Sequence, residues 1–125
     1  MSFKSNLINI VLVETSHPGN IGSVARAMKT MGLCNLSLVN PRRFPSGEAN
    51  ALSGNAGDVL ENAQIFSSIE EAIKDSTFVY ATSSRSRTIQ WPTVHAEEGA
   101  SLINTQVTSD KKVSILFGRE DRGLT

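Results

Sequence analysis

A chain of 125 residues is long enough for one domain with a buried core and short for two, and its 12 Lys and Arg balance 12 Asp and Glu, leaving no net charge to announce a nucleic-acid or membrane partner. Any attraction to phosphate must therefore come from locally clustered arginines. The single cysteine, Cys34, cannot form an internal disulfide, two histidines fall short of a structural zinc site, and the longest apolar run, Ile10 to Val13, is far below a membrane span; a cytoplasmic, metal-free protein with no membrane partner is expected.

Leu7 to Val13 predicts a first strand. After a polar loop, Ile21, Val24, Met28 and Met31 share one helical face, which predicts a helix over Ile21 to Met31 with Asn20 as its cap and Gly32 as its stop. Cys34 lies between this helix and the next strand, where a small buried residue is expected. Leu36 to Val39 predicts the second strand, and Glu48 to Leu60 a helix broken around Gly54 and Gly57. Gln64 to Phe66 follows as a third strand. Ile69 to Lys74 reads as a helix capped by Ser67 or Ser68, with Glu70 and Glu71 in its first turn, where the helix dipole favours anions. Phe78 to Thr82 predicts a fourth strand, Glu97 to Asn104 a weaker helix interrupted by Gly99, and Val113 to Phe117 a fifth strand. The alternation, with mostly continuous apolar strands, predicts an α/β fold: a mostly parallel sheet flanked by helices.

In such sheets ligands bind outside the carboxyl ends of the strands, so the loops that follow the strands are read together. They hold Glu14 to Asn20 after the first strand, Asn40 to Arg43 after the second, Ser83 to Arg87 after the fourth and Gly118 to Arg122 after the fifth. Arg26, Arg42, Arg43, Arg85, Arg87, Arg119 and Arg122 thus lie in or beside one rim, which favours a phosphate-bearing partner over mere solvation of loops. On a helix Gly22 lies one turn before Arg26, and helical side chains lean toward the N-terminus, so Arg26 is expected to extend over a position left open for a substrate backbone. No Walker loop, G-x-G-x-x-G fingerprint or G-x-S-x-G elbow is present, and His17 reads as a loop hydrogen-bonder rather than a base.

Two motifs then stand out. Asn20-Ile21-Gly22-Ser23-Val24-Ala25-Arg26 and Phe117-Gly118-Arg119-Glu120-Asp121-Arg122-Gly123-Leu124 each follow a predicted strand, and together they resemble the first and second motifs of the SpoU/TrmH family of RNA 2′-O-ribose methyltransferases, within the knotted SPOUT superfamily. The similarity spans nearly the whole chain; Val11 to His17, Ala25 to Leu33, Thr82 to Arg87 and Trp91-Pro92 look closest to the TrmJ branch. The resemblance implies one SpoU-type domain over residues 1–125, of SPOUT α/β-knot type, whose trefoil knot is incomplete here because the chain stops just after the second motif. It implies a homodimer that uses S-adenosyl-L-methionine to methylate a cytidine or uridine ribose in the tRNA anticodon loop, at position 32 of the tRNA. Carried over by motif, Asn20, Arg26 and Glu120 form the catalytic neighbourhood, Thr82, Ser83, Ser84 and Gly118 line the cofactor site, and Arg85 and Arg87, with Arg42 and Arg43, contact RNA.

Methyl transfer to a ribose oxygen needs that oxygen aligned and its proton removed. The family view makes Arg26 the base; since a guanidinium normally stays protonated, phosphate binding and alkoxide stabilisation are the favoured roles. Two other readings remain open at this point: an RNA-binding or dimerisation module without turnover, and an unrelated α/β enzyme acting on a small phosphorylated substrate.

Overall fold

The computed structural model describes residues 5–15, 17–42, 44, 47, 53–82 and 96–118. A short 3-10 turn, Ser5–Leu7, leads into β1 (Ile8–Val13), followed by α1 (Pro18–Met31), β2 (Asn35–Val39), α2 (Gly57–Glu61), β3 (Gln64–Phe66), α3 (Ile69–Ile73), β4 (Phe78–Ala81), α4 (Ala96–Thr108) and β5 (Val113–Phe117). The five strands form one sheet in the order β3-β2-β1-β5-β4 with every pairing parallel. All five predicted strands are present, each within a residue or two of its expected ends.

Alternation along the central strands divides the core in two. Ile8, Ile10 and Leu12 of β1, with Leu36 and Leu38 of β2, face Ile21, Ala25 and Met28 of α1, Val59 and Leu60 of α2 and Val107 of α4. Val11, Val13, Val39 and Leu116 face the other way, toward Ala72 of α3. Both faces of β1 are therefore covered, which is why its sequence is an unbroken apolar run rather than an alternating one. A hydrogen bond of 3.0 Å from the Tyr80 hydroxyl to Gln106 Oε1 ties α4 to β4.

Several local expectations are corrected. Helix α1 starts at Pro18, not Ile21, so Asn20 lies inside its first turn instead of capping it. The physical reason is the proline: its fixed φ suits the first helical position, where no N–H is needed. His17 occupies the capping position without a side-chain cap bond. The predicted stop holds. Gly32 is left-handed at φ 77, its N–H donates to the Lys29 carbonyl, and the Leu33 N–H donates to the Met28 carbonyl at 2.8 Å, a Schellman ending.

Cys34 is exposed rather than buried, because its neighbour Leu33 takes the place against the core. The predicted break after residue 48 falls at Gly54, at φ 60, while Gly57 opens α2 and interrupts nothing; residues 48–52 lie outside the described residues. Helix α4 runs unbroken through Gly99, which is buried, so packing offsets a cost of about 1 kcal/mol for glycine within a helix. Helix α3 is capped by Ser68, whose side chain accepts the Glu71 N–H, and it ends one residue before the predicted Lys74.

Candidate functional site

Strand order fixes where a ligand can enter. From β1 the chain steps outward to β2 and β3, then crosses to the opposite edge and steps inward from β4 to β5. The direction of winding reverses between β1 and β5, and a crevice at the carboxyl ends of such a pair is the general binding position in open α/β sheets. Because Leu12 pairs with Phe117, Gly118 emerges beside the end of β1, and the loop carrying Thr15 and His17 leaves from the same place.

The strand ends at this edge turn sharply. Glu14 and Asn40, immediately after β1 and β2, both adopt left-handed backbone, at φ 55 and 47. Main-chain bonds hold both: the Glu14 N–H donates to the Val39 carbonyl at 2.8 Å and the Asn40 N–H to the Phe66 carbonyl at 3.0 Å. The Asn40 side chain adds a donation to the Ser67 carbonyl at 3.0 Å. Left-handed conformations outside glycine cost roughly 1 kcal/mol or more, so two in adjacent loops mark an edge whose path is set by tertiary contacts. Further along, the Arg42 N–H reaches the carbonyl of buried Thr15, which brings the predicted RNA-contacting Arg42 against the loop leading to α1.

Arg26 is exposed on α1, about 1.7 turns beyond Asn20 and so about 120° around the helix from it at ~100° per residue. Asn20 and Arg26 therefore share an element but not a face. Gly22 is buried, as are Ile21 and Ala25 of the same helix. Gly54 also lies beside Arg26. A Cβ placed on Gly54 would stand 3.7 Å from Arg26 Cδ and 3.8 Å from Nε. Reading the sequence found Gly54 only as a helix breaker; its separation from Arg26 in the chain hides the contact, and its left-handed turn is the one local sign.

Across the crevice, the Thr82 N–H and the Thr82 hydroxyl both donate to the Leu116 carbonyl, each at 3.0 Å. The loops after β4 and β5 therefore start side by side, which sets Thr82 near Gly118. With both donors used on the strand, Thr82 sets the spacing of the two loops and keeps its hydroxyl oxygen as an acceptor. Two adjacent strand ends, one lacking a side chain at Gly118, suit a small polar cofactor seated against main chain. Ser83, Ser84, Arg43, Arg85, Arg87 and Glu120 lie outside the described residues. Among the described residues, no group of three or more His, Cys, Asp or Glu could hold a metal ion, and no helix is long and apolar enough to cross a membrane.

Beside β2 and β3 at the same edge lies a hollow of about 500 Å³ lined by Asn40, Pro41, Phe44, Phe66, Ser67 and Glu71. The Ser67 hydroxyl donates to Glu71 Oε1 at 2.7 Å, and this bond, with a weaker one from Ser68, holds the Glu71 carboxyl below the usual glutamate value. Asp58, on α2, is likewise held below its ordinary value, first by the hydrogen bond from Lys29 Nζ at 2.8 Å.

Comparison with known proteins agrees with this arrangement. The model of the SpoU rRNA methylase family matches residues 7–125. The chain is 52% identical over 118 residues to the tRNA (cytidine/uridine-2′-O-)-methyltransferase TrmJ of Salmonella typhimurium, covering 94% of this chain and 48% of that protein, and 50% identical to the TrmJ of Sodalis glossinidius, covering 94% and 46%. The chain thus spans about half the length of the curated relatives it matches. The crystal structure of TrmJ from Z. mobilis ZM4 superimposes with a TM-score of 0.87 at 39% identity, covering 94% of this chain and 51% of that one. On this sequence match and this fold, the chain belongs to the SpoU rRNA methylase family, on its TrmJ branch.

Proposed function

We propose that the chain forms the catalytic part of an S-adenosyl-L-methionine-dependent tRNA (cytidine/uridine) 2′-O-ribose methyltransferase working in the cytoplasm on the anticodon loop, at position 32 of the tRNA. The observation that carries this reading is the 52% identity to a tRNA 2′-O-methyltransferase along 118 residues; the family model matches residues 7–125, which hold both quoted motifs. The reversal of winding at β1 and β5 supports it, since Thr82 and Gly118 meet there beside the loop that leads to Asn20 and Arg26.

When bound, S-adenosyl-L-methionine supplies a methyl group made electrophilic by its sulfonium. Thr82, Ser83, Ser84 and Gly118 would hold it. Arg26, exposed and held beside Gly54, binds a phosphate flanking the target ribose and stabilises the charge that develops on the 2′-oxygen as its proton passes to solvent water. Asn20 and Glu120 complete the catalytic neighbourhood, and Arg42, Arg43, Arg85 and Arg87 bind the RNA backbone. A homodimer is part of the proposal; Phe78 and Val79, on the edge strand β4, are 38% and 43% exposed, apolar surface that a second copy could cover.

The direct test is transfer of a labelled methyl group from S-adenosyl-L-methionine to tRNA, with the target 2′-hydroxyl present or replaced by hydrogen. Label incorporated only when the hydroxyl is present supports the proposal. RNA binding without transfer would favour a module without turnover, and label retained on the 2′-deoxy substrate would exclude the ribose oxygen as acceptor.

A further inference from the structure

Two glycines on either side of α1 share a left-handed backbone and differ in their surroundings. Gly32, at φ 77, has nothing within 4 Å of where a Cβ would be, whereas Gly54, at φ 60, points its missing Cβ at the middle of the Arg26 side chain. The turn that carries Gly54 is fixed at both ends: Ser53 is 2% exposed, Ala56 is fully buried, and the Ala56 N–H donates to the Ser53 carbonyl at 3.0 Å. One turn along α1 from Arg26, Lys29 reaches across to Asp58 at 2.8 Å, so the segment 53–58 is laid against the outward ridge of α1 at two points.

An exposed arginine carries many rotamers, and ordering them costs on the order of 1.5–2 kcal/mol. A rigid turn beside Cδ and Nε removes part of that freedom before any ligand arrives.

We infer that Gly54 is a positioning residue for Arg26: its left-handed, side-chain-free turn forms a wall along the stem of Arg26 and limits where the guanidinium can be presented to a phosphate or a ribose oxygen. The inference rests on the methyltransferase reading for its consequence, though not for the contact itself. It predicts an ordering that backbone strain does not. Asparagine tolerates left-handed backbone better than alanine, so strain alone makes Gly54→Ala the worse substitution. Crowding makes Gly54→Asn the worse one, because a Cβ already stands at ordinary contact distance from the arm and the amide adds three heavy atoms beyond it.

The test compares parent, Gly54→Ala, Gly54→Asn and Gly32→Asn. The ¹H–¹⁵N resonance of Arg26 Nε and its relaxation are expected to change in Gly54→Asn and to stay at parent values in Gly32→Asn. With tRNA and S-adenosyl-L-methionine, kcat should fall by about tenfold or more in Gly54→Asn and by less in Gly54→Ala, with the KM for S-adenosyl-L-methionine unchanged, since sub-ångström misplacement of a catalytic group acts on rate rather than on cofactor binding. An Arg26 Nε resonance that ignores Gly54→Asn overturns the inference, and so does a kcat order that follows melting temperature, with alanine lowest. Should the parent transfer no methyl group, the methyltransferase reading fails, while the resonance comparison still decides whether Gly54 holds Arg26.

Discussion

The two ends of the same parallel sheet do opposite things with their polar groups. At the amino end, on the face covered by α3, the Ser37 hydroxyl donates to Asn9 Oδ1 at 2.7 Å, Asn9 Nδ2 donates to Ser114 Oγ and to the Ala72 carbonyl, each at 3.2 Å, and the hydroxyls of Ser76 and Ser114 pair. This network closes on itself. It borders a cleft of about 690 Å³, larger than the hollow beside β2 and β3, and among the described residues no buried side-chain nitrogen or oxygen lacks a partner. At the carboxyl end the strands finish in left-handed turns at Glu14 and Asn40, Arg42 stands exposed beside the loop after β1, and Arg26 is exposed on α1. Cleft size alone therefore points to the end opposite the proposed site. Groups that have satisfied one another have little left for a ligand, whereas exposed cations near constrained turns are available.

The largest expected effect separates the two ends outright. Arg26→Ala should lower single-turnover methyl transfer by on the order of 10²-fold while leaving cofactor affinity and thermal stability nearly unchanged, because the side chain is exposed and acts on developing charge. Arg26→Lys should lose much of the same rate, since a point charge replaces a planar fork. Parent-level transfer by Arg26→Ala would refute the assignment.

Asn9→Ala is the mirror experiment. It strips partners from Ser37 and Ser114, which are 3% and 0% exposed, and should destabilise the fold by about 1–3 kcal/mol in urea titrations, with no change in cofactor affinity measured on the folded fraction. Equal stability in the variant would mean that water replaces the amide at no cost and that the network is incidental.

Gly118→Val tests the other wall of the crevice. If Gly118 leaves room for S-adenosyl-L-methionine beside Thr82, the bulkier residue should weaken cofactor binding in calorimetry by about tenfold or more, while the Thr82 bonds to Leu116 survive. Unchanged affinity in a folded variant removes Gly118 from the cofactor site.

The difference between the two ends also explains what could be read in advance. Strand β1 was legible because Ile10 to Val13 is covered on both faces, and the end of α1 was legible because Gly32 is a purely local device. The loops that follow the strands were legible as one edge, because that needs only strands that run parallel. The amino-end network was not, since Asn9, Ser37 and Ser114 look like ordinary interruptions until parallel register sets them beside one another. Gly54 escaped for the same reason: what matters about it is a neighbour 28 positions earlier. Pro18 outweighed the capping preference of Asn20, and the packing of Leu33 decided the exposure of Cys34.

The smallest effect concerns the exposed contact that joins α1 to α2 one turn beyond Arg26. Asp58 is held below its ordinary value of 3.8, chiefly by the hydrogen bond from Lys29, with further lowering from the charge of Lys29. A carboxyl whose folded value is depressed contributes stability above its unfolded value, and that contribution is lost as pH falls through the folded value. In Lys29→Met the Asp58 carboxyl midpoint, followed by ¹³C NMR, should therefore rise toward 3.8. The stability difference between parent and variant should be present at neutral pH and fade as the pH is lowered below about 4. The pair is solvent-exposed, with side chains 43% and 55% accessible, so added salt should shrink the difference as well. A midpoint that does not move would show that the backbone N–H groups of Asp58 and Val59, which also lower it, are sufficient, and that α1 and α2 are joined by their apolar faces alone.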